Sequence, residues 1–240
     1  QGRVVRTIKG TNKKGFNQVS WNLTYPDKTG ELLKKKEVSE WERAEFMVTP
    51  GKYSVSLAKR VNGTVTPFGQ SQDFEVVSLR DGALPRASFD EIDAFRDSYF
   101  DFKEDLTATK QVLSRDMKVI MAMKTALDKA DQSSPELAQK IEKTRMDLLD
   151  LDERLTGNKT KAEIGEQSSP TPQSADGVAR NALSSSTYGP TGTHKATLQL
   201  ATERLNSIKS ALKQIDETTI PSLIQELKKA GAPWIEGSGL

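Results

Sequence analysis

Two hydrophobic periods, one after the other, predict an α+β multidomain chain: a small β-sandwich followed by long helices. Apolar residues alternate with polar ones over residues 1–82, then recur every three or four residues over 83–240, with the switch near Ser88. Turn residues punctuate the first part at short intervals and are sparse in the second, which fits strands and then helices.

The β part comes first. Val4, Val5 and Ile8 read as a strand already under way at the first residue. Val19, Trp21, Leu23 and Tyr25 alternate as the next; Tyr53, Val55 and Leu57, then Phe74 and Val76, continue the period of two. Breaks fall at Gly10 to Gly15, Pro26 to Gly30, Pro50-Gly51 and Asn62-Gly63. Asn62-Gly63 is a strong hairpin signal, because both central positions of a type I′ turn need positive φ. About six short strands with such turns read as an immunoglobulin-like β-sandwich over 1–82. Either the protein is cytosolic or a targeting segment lies upstream of Gln1, and the mid-strand start favours the second. The protein is therefore expected to be secreted, periplasmic or on the outer cell surface.

The helical part follows. Ile92, Phe95, Tyr99, Phe102, Leu106, Thr109, Leu113, Asp116 or Met117, Ile120, Met123 and Leu127 form a seam of about five heptads. Ser88 and Glu91 make a capping box at its start, and an end is expected near Ala130. Phe100 lies off the stripe and is expected to face the β part. Ser134 as N-cap and Pro135 as first helical residue open a second helix, through Leu137, Ile141, Thr144, Leu148, Leu151 and Leu155 to Gly157. A third runs through Leu198, Ala201, Leu205, Ile208, Leu212 and Ile215; Pro221 is expected to break or restart it before Leu223, Leu227 and a C-cap at Gly231. Narrow apolar stripes must be buried against one another, so residues 83–240 are expected to form an antiparallel helical bundle or long helical hairpin. The Ser/Pro/Gly-rich stretch 157–192 is expected to be an ordered excursion packed on that bundle, with a helical turn around Val178, Ala182 and Leu183, and Tyr188 as anchor.

Composition narrows the chemistry. The 240 residues hold 35 Lys and Arg against 33 Asp and Glu, a net charge of +2, and the one tight basic run is Lys34–Lys36, so no nucleic-acid partner is expected. Without cysteine the chain has no disulfide, thiolate metal site or thiol nucleophile. No apolar run approaches the roughly 18 residues of a membrane span. The single histidine, His194, has no G-x-S-x-G partner and reads as a surface or capping residue. Ser210 and Lys213 have S-x-x-K spacing but lack companion K-T-G and S-D-N elements. The acidic cluster Asp147, Asp150, Asp152 and Glu153 lacks the glycine of a calcium loop and sits in a helical pattern, paired with Lys143 and Arg154. Asp101, Glu104 and Asp105 have nothing nearby to split their pKa values as acid–base catalysis requires. No catalytic, cofactor-binding or metal-binding residue is therefore expected, and no cofactor. Trp21, Trp41, Tyr188 and Trp234 are the expected partner contacts, since aromatic side chains bury much area at small entropic cost.

One resemblance adds to this. "GRVVRTIKG…KKGFNQVSWNLTYP", then "VTPGKYSVSLAKRVNGTVTPFGQSQDFEVV", and finally "GPTGTHKATLQLA…LNSIKSALKQI…LIQELKKAGAPW" at 189–234 resemble the C-terminal region of large secreted proteins. These are the sortilin-like, Asp-box (BNR repeat) β-propeller proteins common in Bacteroidota. The first part is also similar to the immunoglobulin-like domain of flagellar hook-capping proteins. The resemblance implies propellers and a first sandwich strand upstream of Gln1, and a partner that completes the β-domain, either that part of the same protein or a separate chain. No Asp-box pattern, S-x-D-x-G-x-T-W, occurs in this sequence, so no catalytic residue carries over. The expectation is a non-catalytic accessory module; the alternatives are a segment of a glycan or peptide hydrolase with its active site on the propellers, or an independent adhesin or secretion-complex component.

Overall fold

A computed structural model describes residues 3–28, 45–79, 82, 85–132, 134–166 and 169–236. The described residues are mostly helical, at 55%, and the expected sandwich is not formed. Among the described residues the only ladder is a two-stranded antiparallel hairpin of β1 (Gly51–Val61) and β2 (Thr64–Val76), with one isolated bridge between Thr24 and Met47. A sandwich needs a second apolar layer to face the first. Here Val4, Phe16 and Val19 are exposed, and the interior of the N-terminal part is essentially Tyr25, Phe46 and Val48. Leu23 at φ 58 turns the chain where the alternation reads as strand, so Val19–Tyr25 does not extend into a ladder. Alternation specifies an extended, two-faced segment, and pairing needs neighbours that the described residues of this part do not supply.

The hairpin itself forms as its turn residues require. Asn62 and Gly63 take φ 45 and 83, the left-handed pair of a two-residue type I′ connection.

The helices are α1 (Phe89–Leu127), α2 (Pro135–Thr156), α3 (Lys159–Glu163), α4 (Pro172–Ser184), α5 (Gly192–Gln214) and α6 (Ile220–Lys229). Ser88 and Glu91 close the capping box of α1; Ser134 caps α2, with Pro135 at its start. Gly157, at φ 96, ends α2. α5 and α6 are continuous through a π-helical turn, Ile215–Thr219, so Pro221 neither breaks nor restarts the third helix. A proline cannot donate to the carbonyl four residues back and its ring crowds that carbonyl; the wider turn makes room for both effects. α1 and the α5–α6 rod run parallel, tied by Lys195–Glu91, Lys209–Asp105 and Arg115–Asp216, with α2 antiparallel to both. Lys140–Glu226 and a hydrogen bond from Arg154 to Ser207 fasten α2 to the rod.

The excursion is ordered where described. α4 lays Ala175, Ala179 and Ala182 on the bundle, small enough for a close approach. A trio locks it to α1: Tyr99, buried, donates to Asp176 at 3.0 Å, and half-buried Lys103 pairs with the other oxygen. Burial, reinforced by Asp176, pushes the Tyr99 phenol pKa far up. Tyr188 stays exposed, and its contribution is its backbone carbonyl, which accepts from Ala87 N–H. The anchor is the alanine stripe instead.

Candidate docking surface

The N-terminal part sits on the first turns of α1 around one guanidinium. Arg96 is buried, lies 3.8 Å over the Tyr25 ring, and pairs with Asp93 and Asp97, while Arg3 reaches Asp97 from the other side at 2.7 Å. Burial works to raise the Asp97 pKa, but the hydrogen bonds from Arg3 and Arg96 outweigh it and hold the carboxyl below its usual range. Burial pushes the Tyr25 phenol up. Thr49 donates to Asp93, and Phe46 meets Tyr99 at 5.5 Å and Phe100 at 5.7 Å. Phe100 thus faces the N-terminal part, its off-stripe position on α1 put to use.

From this base the hairpin projects with two unlike faces. Register pairs Tyr53 with Phe74, Val55 with Gln72 and Leu57 with Phe68, so Tyr53, Val55, Leu57, Phe68 and Phe74 share one face. The opposite face carries Lys52 against Glu75 and Ser54 against Asp73. Only the root of the apolar face is covered. Trp21 packs edge-on to Tyr53 at 5.9 Å and to Phe74 at 6.2 Å, and its indole N–H donates to the Thr24 carbonyl. Beyond it, Val55, Leu57 and Phe68 are 52%, 62% and 63% exposed. A run of uncovered large apolar side chains on a half-covered sheet face is the mark of an interaction surface.

The expected contact residues are scattered. Trp21 closes the hairpin's own aromatic cluster, Tyr188 lies in the turn before α5, and Trp234, just after Pro233, is 64% exposed beyond the end of α6. Trp41 lies outside the described residues, as do Lys34–Lys36 and the tail 237–240. The hairpin's outer face is not among the expected contact residues; its signal in the sequence is the same period-two pattern that reads as sandwich core.

Arg115 bridges Asp116 and Asp216 beside the π-helical turn, at the rim of a cleft of about 600 Å³. The Asp116 carboxyl is buried at 1% and its Oδ2 has no hydrogen-bond partner among the described residues. Burial raises its pKa, with Arg115 pulling the other way. His194 completes a capping box with Thr191, its Nδ1 accepting the Thr191 N–H at 3.1 Å. Ser210 donates to the Asn206 carbonyl on the outside of α5. On α2 Arg154 pairs with Asp150, and Lys159 reaches Asp152. Among the described residues no group of three or more His, Asp or Glu is placed to hold a metal ion, and no helix is long and apolar enough to cross a membrane.

No family model, no curated protein and no solved structure matches this chain.

Proposed function

We propose that this chain is a non-catalytic accessory module of a larger secreted or cell-surface β-propeller protein, docking through its hairpin on the propeller part or on a partner chain. The observation that carries the reading is the outer apolar face of the hairpin, Val55, Leu57 and Phe68, held out from a helical base. The bundle acts as a rigid spacer: its seam is buried along its length, and the Arg96 network fixes the angle of the N-terminal part upon it. The propeller partner rests on the sequence resemblance.

A photo-reactive residue at Phe68 tests this in the host cell, with Ser54 on the polar face as control. The expected outcome is a Phe68-dependent adduct with a β-propeller protein, lost when Val55 and Leu57 are both changed to Asp while the helical signal is unchanged. Equal labelling from Ser54, or adducts without a propeller, would remove the reading.

A further inference from the structure

We infer that the outer edge of β1 is the docking edge, and that it takes an extended acidic strand with apolar residues at alternate positions. This rests on the hairpin being the docking element.

The two edges of the hairpin are not equivalent. Val61 and Thr64 close a two-residue turn and so exchange both hydrogen bonds. Alternation from there points the N–H and C=O of Lys52, Ser54, Ser56, Ala58 and Arg60 away from β2. Their row is unbroken over the 11 residues of β1, about 36 Å of edge. The outer edge of β2 is interrupted. Pro67, paired with Ala58, has no N–H to offer there, and the register slips beside Gly69, which takes φ +78. Proline and a bulge blunt an edge against further pairing; β1 has neither. Every β1 residue from Ser54 to Val61 is exposed, and no other strand among the described residues covers that side.

Charge and side-chain pattern define what fits. β1 carries Lys52, Lys59 and Arg60 with no acidic residue, and β2 carries Asp73 and Glu75 with no basic one. Lys52 faces Glu75 across the hairpin, so β2 already supplies the acidic neighbour on one side. A strand added on the other side places residues beside Lys52 and Arg60 on the polar face, where carboxylates complement them, and beside Val55 and Leu57 on the apolar face, where aliphatic side chains extend it. A second copy fits poorly. Pairing β1 with β1 brings like charges together, and stacking two apolar faces, each about 10 Å by 30 Å, buries roughly 600 Å² in total against the ~1,200 Å² of a stable interface.

The test uses the full chain and two capped nine-residue peptides, one alternating valine with glutamate, the other valine with lysine. Binding is followed by hydrogen exchange and by sedimentation. The valine–glutamate peptide is expected to protect amides of β1, and Ala58→Pro, which removes one outward N–H opposite Pro67, to weaken it about tenfold. Equal binding of the lysine peptide, protection confined to β2, or dimerisation of the chain without peptide would overturn the proposal. The two readings separate in the host-cell assay. If Ala58→Pro leaves the Phe68 adduct intact while the double Asp variant loses it, the edge is wrong and the apolar face stands. If neither variant changes it, the hairpin is not the docking element.

Discussion

Asp116 has the least comfortable carboxylate in the molecule. It occupies a seam position between Leu113 and Ile120, its Oδ1 holds Arg115, and its Oδ2 has no partner among the described residues. A buried acceptor without a partner costs on the order of 1–3 kcal/mol. Because burial raises its folded pKa, the fold favours the protonated acid; this contribution is complete below the unfolded value near 3.8 and is lost as pH rises through the folded pKa. Asp116→Asn keeps an oxygen for Arg115 and removes the charge. Its midpoint of urea unfolding should therefore rise at pH 7, by about 1 kcal/mol in stability, and match the wild type at pH 3. An equal gain at both pH values would place the effect in packing and not in charge.

Among the elements, the joint between the N-terminal segments and α1 depends on Asp97 having its charge. Its folded pKa is depressed, so its contribution is present above the unfolded value near 3.8 and fades as pH falls through the folded pKa. Limited proteolysis of residues 3–28 should accelerate below about pH 4 in the wild type. In Asp97→Asn it should be fast already at pH 7, with no such step. The elements also show how far residue patterns reach. Ser88, Ser134, Gly157, Asn62-Gly63 and Gly231 each mark the boundary that forms, because caps and tight turns are local chemistry among neighbours. Pro221 is the exception: its local cost is absorbed by a π-helical turn because the flanking residues, Ile215, Ile220 and Leu223, are all buried against the bundle. The third helix continues because breaking it would expose them.

At the scale of the whole molecule, stability should be divided. The bundle buries seams from three long helices plus the alanine stripe of α4, whereas the outer hairpin buries almost nothing. An isolated two-stranded hairpin is marginal in water. Native-state hydrogen exchange should find the α1, α2 and α5 seam amides opening only with global unfolding, and those of the hairpin beyond Tyr53 and Phe74 exchanging through local opening. Hairpin amides as slow as the bundle's would mean the hairpin is held by more than its own ladder.

What the sequence by itself determined are the features that neighbours along the chain decide: the switch of period near Ser88, the helical seams, their caps, and the hairpin turn at Asn62-Gly63. Its reading of residues 1–82 as a sandwich failed because the period of two says which side chains share a face and never what lies opposite that face. Only the tertiary structure decided that Trp21 covers the root of the hairpin while Leu57 and Phe68 stay exposed. It also decided that Arg96, a charged residue beside an apolar stripe, is buried over Tyr25 as the joint of the two parts. Those outcomes depend on segments many residues apart, and the docking surface follows from the burial that those segments fail to provide.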